Sequence, residues 1–196
     1  MFPVPVSFFS LPLRLSVYVG RDIGDNLFFL YLSWVKTTPM NNVEIERKFL
    51  VNREKWSRLD KPPGIPYIQG YLSIDQDKVV RVRVAGDKGF LTIKGKSDTF
   101  ARPEFEYSIP VSEAREMLSL FTTGQVEKLR TRVPAGNGLV WEVDEFQGAN
   151  DGLIVAEIEL ENLDDPFEIP GWVGEEVTMD KRYYNAFLSL HPYNSW

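Results

Sequence analysis

From Asn41 onward, apolar and charged residues alternate with a period of two, the mark of β-strands, whose successive side chains point to opposite faces. In NNVEIERKFLV, Glu44, Glu46 and Lys48 share one side, and Val43, Ile45, Arg47 and Phe49 share the other. The division recurs along the chain. Arg81 and Arg83 alternate with Val80, Val82 and Val84, and Thr92, Lys94 and Lys96 alternate with Leu91 and Ile93. Glu104, Glu106 and Ser108 oppose Phe105, Tyr107 and Ile109, and Lys128, Arg130 and Arg132 oppose Leu129 and Val133. Glu142 and Asp144 oppose Trp141 and Val143, and Glu157 and Glu159 oppose Ala156, Ile158 and Leu160.

Turn signals separate these runs: DQD, GDKG, AGNG and GAND fall between segments such as YIQGYLSI, VVRVRVA, FLTIKGK and LVWEVDEF. The spacing predicts about eight strands joined mostly as antiparallel hairpins. Three short helices are predicted: REKWSRL, SEAREMLSLF opened by Ser112 as N-cap, and DKRYYNAFLSLH with Thr178 as N-cap.

Two arrangements produce strands that are charged on one side and apolar on the other. One is a half-buried sheet with its polar face in water. The other closes the strands into a barrel, with charges inside and the apolar faces turned outward under helices. A solvated face usually mixes Thr, Ser, Gln and charge, whereas here like charges come in tight pairs two residues apart, which favours the barrel. An outer-membrane barrel is also polar inside and apolar outside, but these strands are short, helices interrupt them, and Arg47, Glu127 and Thr131 would face lipid. The fold class expected is α+β, mainly β: an eight-stranded antiparallel barrel with a charged lumen and helices packed outside.

Composition narrows the chemistry. The chain has 196 residues, 43% hydrophobic and 26% charged, which suits one sizeable globular domain. It has no cysteine, so thiolate catalysis and thiolate metal sites are excluded, and the composition fits a reducing cytoplasm. With His191 the single histidine, any internal metal takes oxygen ligands, which selects hard cations such as Mg2+ or Mn2+. The net charge of −6 argues against general nucleic-acid binding but leaves room for a concentrated basic site.

Inside such a barrel the bases are Lys48, Arg81, Arg83, Lys94, Lys128 and Arg130, joined by Arg132 and Lys181. The acids are Glu44, Glu46, Glu104, Glu106, Glu142, Asp144, Glu157 and Glu159. Burying so many ions costs several kcal/mol each unless every one is paired or liganded. A short polyphosphate would satisfy forked Arg and point-charge Lys groups, and a divalent cation would satisfy the carboxylates.

At this point the motifs match a known family. EIERK resembles the E-x-E-x-K signature of the CYTH superfamily, the triphosphate tunnel metalloenzymes. The likeness continues in register through QGYLS, RVRV, LTIKGK, EFEYSI, VEKLR, WEVDEF, AEIELE and GWVGEEVTMDKRYYN, most similar to the short bacterial tripolyphosphatase-like branch. It implies an eight-stranded tunnel that binds triphosphate and a divalent metal, Mg2+ or Mn2+. Carried over, Glu44, Glu46, Glu157 and Glu159 become metal ligands, and Lys48, Arg81, Arg83, Lys94, Lys128, Arg130 and Lys181 bind substrate. Glu104, Glu106, Glu142 and Asp144 become supporting acids. The catalytic set is drawn from Glu44, Glu46, Lys48, Lys94 and Lys128. Tyr71 faces the tunnel or packs as an ordinary aromatic, and His191 is an ordinary helix-end residue.

The activity implied is hydrolysis of inorganic tripolyphosphate to diphosphate and phosphate. Alternatives are a class IV-type adenylate cyclase, a thiamine or nucleoside triphosphatase, and a non-catalytic polyphosphate-binding module. No nucleic-acid or membrane partner is expected, and the protein would be a monomer or homodimer.

The likeness covers residues 40–196. Residues 1–39 contain no glutamate and only Asp22 and Asp25 as acids, with apolar residues scattered among prolines. Met40 directly precedes the first regular strand, so residues 1–39 are expected to be an upstream read-through or a poorly ordered extension. The run NLFFLYLSWV, about ten residues, is too short to span a bilayer.

Overall fold

The computed structural model describes residues 13–20, 29–36, 43–75, 77–95, 101–162 and 164–196. Two units divide the chain, Met1–Asn41 and Asn42–Trp196. In the first, β1 (Leu13–Gly20) pairs antiparallel with β2 (Phe29–Lys36), from Leu13 opposite Lys36 to Gly20 opposite Phe29. This hairpin lies in residues 1–39, where no strand is expected above, although LRLSVYVG does carry the period-two alternation.

The second unit contains β3 (Val43–Val51), β4 (Ile65–Ile74), β5 (Lys78–Ala85), β6 (Lys88–Gly95) and β7 (Ala101–Ile109). It continues with β8 (Gln125–Gly136), β9 (Leu139–Gln147), β10 (Ile154–Leu160) and β11 (Val173–Glu176). The pairing order runs β10-β9-β8-β4-β5-β6-β7-β3, all antiparallel, and β10 pairs back onto β3 through Leu160 opposite Ile45 to Val155 opposite Leu50. Hydrogen bonding therefore passes around eight strands and returns to its start. The seam between β3 and β7 is short, Val43–Ile45 against Ala101–Pro103, and β11 takes the far end of the same β3 edge. A closed ring leaves few unpaired strand edges.

The apolar faces point outward and are covered in two places. Ala114 and Leu118 of α2 (Val111–Phe121) pack on Val82 and Val84 with Ile68 and Leu72. On the opposite wall, Trp56 of α1 (Arg53–Ser57) and Trp172 cluster with Phe49, Trp141, Val143, Ala156 and Ile158. The Trp56 and Trp172 rings lie 5.0 Å apart. Each such side chain contributes about 1.5–3 kcal/mol when fully buried. Covering is incomplete on the wall of β6 and β7, where Ile93, Phe105 and Tyr107 remain exposed.

One end of the lumen is apolar. Val126, Phe146, Leu153 and Val155 cluster there with Leu188 of α3 (Asn185–Leu188), flanked by Leu50, Tyr183 and Tyr193. The register identifies this as the inner face, since Phe146 lies opposite Lys128 and Val155 opposite Asp144. The close approach of the C-terminal segment requires Gly124, where a Cβ would sit 2.0 Å from the Ser189 carbonyl oxygen.

Three local expectations are corrected. Pro110, not Ser112, is the N-cap of α2: its fixed φ of −55° suits the entry, which leaves Ser112 inside the first turn. Thr178 caps no helix. Its hydroxyl accepts from the Lys48 N–H at 3.0 Å, while Val177 N–H donates to the Lys48 carbonyl, so this segment prolongs the pairing of β11 with β3. The C-terminal helix is interrupted, with a 3-10 turn at Lys181–Tyr183 capped by Asp180 and then α3. Among the described residues no helix is long and apolar enough to cross a membrane.

Candidate functional site in the charged lumen

Beyond the apolar end, the lumen holds two linked groups of ions. In the first, β3, β8, β9 and β10 contribute. Lys48 pairs with Glu157 and, at 2.8 Å, with Glu46. The Arg130 guanidinium donates from Nε to Asp144 at 2.6 Å and from its terminal nitrogens to Glu157 at 2.7 Å, to Asp144 and to Glu142. Lys128 donates to Asp144. Lys48, Lys128, Arg130, Asp144 and Glu157 are all buried.

The second group spans β5, β6 and β7. Arg83 donates to Glu106 at 2.8 Å, Arg81 donates to Thr92 at 3.1 Å, and the Thr92 hydroxyl donates to Glu106 at 2.8 Å. Lys94 pairs with Glu104 at 2.7 Å. The Nε donors of Arg81 and Arg83 are buried without a hydrogen-bond partner. Tyr67 on β4 joins the groups, its ring 5.4 Å from both the Arg83 and Arg130 guanidinium carbons; the Arg83 guanidinium carbon also lies 5.1 Å from the Phe90 ring.

Burial and charge act against each other here. Burial presses the Lys48 pKa down, but Glu157 and Glu46 outweigh it and the ammonium is held above its usual range. Lys128 goes the other way: burial and the Arg130 charge lower it to about 8 despite Asp144 and Glu157. Burial likewise lowers Arg83, helped by Arg81. For Glu157, burial favours the neutral acid, but Lys48, Arg130 and Lys128 hold the carboxyl well below the ordinary carboxylate range. Arg130 is raised well above its usual value by Asp144, Glu157 and Glu142, against its burial.

The structure thus brings together Glu46, Lys48, Arg81, Arg83, Lys94, Glu104, Glu106, Lys128, Arg130, Glu142, Asp144 and Glu157. Glu159 lies on the same ladder, directly opposite Glu46, and is exposed. Glu44 takes its place on β3 opposite Arg102, and its side chain, like Lys96, lies outside the described residues. Lys181 is exposed on the 3-10 turn, and no hydrogen bond or ion pair ties its side chain to the lumen among the described residues. Arg132 is largely exposed, meeting Glu142 at 2.8 Å. Arg47 is on the outer face as expected, paired with Glu176 and 5.0 Å from the Phe167 ring. His191 stacks on Phe187 at 4.3 Å. Charge counting missed Tyr67, Gln69 and Thr92. Their signal was parity: Tyr67, Gln69 and Tyr71 alternate with Ile68 and Gly70.

Whether the acids suit a metal is tested by the register. Glu46 and Glu159 face each other across β3 and β10, and directly opposed like charges destabilise a sheet unless a cation lies between them. The donor set is oxygen only, which fits a hard divalent ion. Among the described residues no three acidic groups are already gathered into a metal cage. Glu46 and Glu157 are held by Lys48 and Arg130 instead.

A ring of antiparallel strands around a buried, cation-rich lumen defines the class: a tunnel barrel. The CYTH domain model matches residues 42–186, and the chain belongs to that family. It is 49% identical over 154 residues to the inorganic triphosphatase of Acetivibrio thermocellus, covering 78% of this chain and 97% of that protein. To the inorganic triphosphatase of Nitrosomonas europaea it is 39% identical over 151 residues, covering 75% and 97%. A crystal structure of an inorganic triphosphatase superimposes with a TM-score of 0.55 at 35% identity, covering 75% of this chain and 94% of the other.

Proposed function

We propose that this protein hydrolyses inorganic triphosphate to diphosphate and orthophosphate inside the barrel, with a divalent cation, Mg2+ or Mn2+, as cofactor. The observation that carries the reading is the cradle of buried Lys48, Lys94, Lys128 and Arg130 with the nearly buried Arg81 and Arg83, in which two guanidinium Nε donors have no partner. Both curated relatives are named inorganic triphosphatase, which agrees with it.

Carboxylates stand where phosphate oxygens would go: Glu157, Asp144 and Glu106 neutralise the bases. Triphosphate would take over those cations and release the carboxylates. Glu44, Glu46, Glu157 and Glu159 would then hold the metal, which supplies Lewis-acid polarisation of a phosphoryl oxygen when bound. The chain's own part is positional and electrostatic: Arg and Lys donors fix the three phosphates and balance charge on the departing diphosphate. Lack of cysteine suits a cytoplasmic location.

The test is a phosphate-release panel with tripolyphosphate, ATP, thiamine triphosphate and diphosphate, with and without Mg2+ or Mn2+. Metal-dependent release is expected from tripolyphosphate above all. Faster turnover of ATP, with cyclic AMP as product, would overturn the reading.

A further inference from the structure

Gln69 stands apart from the other inward residues. It sits on β4 between Tyr67 and Tyr71, opposite Arg83 on one side and Val126 on the other, at the boundary of the cation cradle and the apolar end. Its side chain has no solvent exposure. The amide nitrogen donates to the Tyr71 hydroxyl oxygen at 3.0 Å, which fixes the amide plane, while Oε1 is buried with no hydrogen-bond partner. An unsatisfied buried acceptor is unfavourable. A terminal nitrogen of Arg83 donates to Glu106, Arg130 donates to Asp144, Glu142 and Glu157, and the unpartnered Arg83 Nε makes no hydrogen bond to Oε1.

We infer that Gln69 is a catalytic residue of the proposed hydrolysis, whose Oε1 accepts a hydrogen bond from the attacking water. Ionised triphosphate offers acceptors and no donors, so the donor that enters with it is water. An amide oxygen cannot take the proton, but it orients the water. The water oxygen forms a bond to the terminal phosphorus, the bridging P–O bond breaks, diphosphate leaves with that electron pair, and the proton passes to phosphate or bulk solvent. Holding the nucleophile in line converts a bimolecular encounter into a positioned one. A second hydrogen bond, from the amide nitrogen to Tyr71, keeps the acceptor aimed.

This rests on the hydrolase reading, and one kinetic series separates the two. The wild-type rate on tripolyphosphate tests that reading by itself. Gln69→Leu, which removes the acceptor but keeps the bulk, is expected to lower kcat about 10²-fold with KM within roughly threefold of wild type. Gln69→Glu can accept from the Tyr71 hydroxyl with one oxygen and from water with the other. It is therefore expected to keep kcat within roughly threefold while its charge raises KM about tenfold or more. A Leu variant with unchanged kcat, or a Glu variant that loses as much kcat as Leu, overturns the inference. Should the Leu variant fail to fold, the Glu variant's KM-against-kcat split still decides.

Discussion

Replacing Glu157 by Gln probes the lumen at a buried carboxylate shared by two of its cations. Glu157 is buried, paired with Lys48 and Arg130, and near enough to Lys128 to feel its charge. Removing one partner of a buried ion pair costs about 3–5 kcal/mol, because the other charge is left uncompensated. Gln keeps the shape and one acceptor, and Arg130 keeps Asp144 and Glu142, so the lower end, about 3 kcal/mol, is expected. For a unit of this size each kcal/mol moves Tm by about 2–4 °C, giving a drop of roughly 6–12 °C. The assay is thermal unfolding in chelator, so that metal plays no part. The pH dependence has a definite sign. Glu157 has a lowered folded pKa, so its contribution is present above the unfolded value of about 4.3 and is lost as pH falls through the folded value. The gap between wild type and variant should be full near neutrality and close in strong acid. Saturating tripolyphosphate should also narrow it, because phosphate oxygens replace the missing carboxylate on Lys48 and Arg130. A Tm change below about 2 °C, or a gap indifferent to tripolyphosphate, would refute the exchange of carboxylate for phosphate.

Three further outcomes are expected. Lys128, lowered to about 8, loses its charge above that pH, so KM for tripolyphosphate should climb between about pH 8 and 10 in the wild type and stay flatter in Lys128→Arg; a wild-type KM constant across that range would contradict the placement of Lys128 on phosphate. Glu46→Gln and Glu159→Gln should each raise the Mn2+ concentration for half-maximal rate by roughly tenfold or more, and identical metal titrations would remove this pair from the metal site. Leu188→Ala should cost about 2–5 kcal/mol in urea unfolding, since Leu188 closes the apolar end; a midpoint equal to wild type would mean that α3 adds nothing to the fold.

Sidedness was legible in the sequence because it is local. A period of two places Lys48, Arg81, Arg83, Lys94, Lys128 and Arg130 on one face whatever the rest of the chain does. Partnership was not legible, because it depends on register between strands far apart in sequence. Nothing in AEIELE says that Glu157 meets Lys48 from β3 and Arg130 from β8. Neutral lumen residues such as Tyr67, Gln69 and Thr92 carry no charge signal, so parity alone marked them. At the helix ends a second rule competed with the one applied: Ser112 has the chemistry of a cap, yet Pro110 already supplies the backbone entry, and Thr178 spends its hydroxyl on the Lys48 backbone. The strand β11 has four residues, including Gly174, and is too short to show alternation.

The same charges that make the lumen suitable for triphosphate also determine whether it can fold without it. Six buried or nearly buried cations would expel one another from a bare cavity. Instead each acidic strand lies beside or across from a basic one, so Glu157, Asp144, Glu104 and Glu106 act as internal counter-ions. The cost of desolvation is met during folding, and a polyanion entering later exchanges one set of anionic oxygens for another rather than desolvating cations afresh. Such a lumen gains little stability from its ions, since a buried network roughly breaks even against an apolar core. Stability comes from the outward faces, from Val82 and Val84 under α2 and from Trp56, Trp141 and Trp172 on the other wall. The inversion of the usual sheet, with charge inside and carbon outside, therefore separates the groups that hold the barrel together from the groups left available for chemistry.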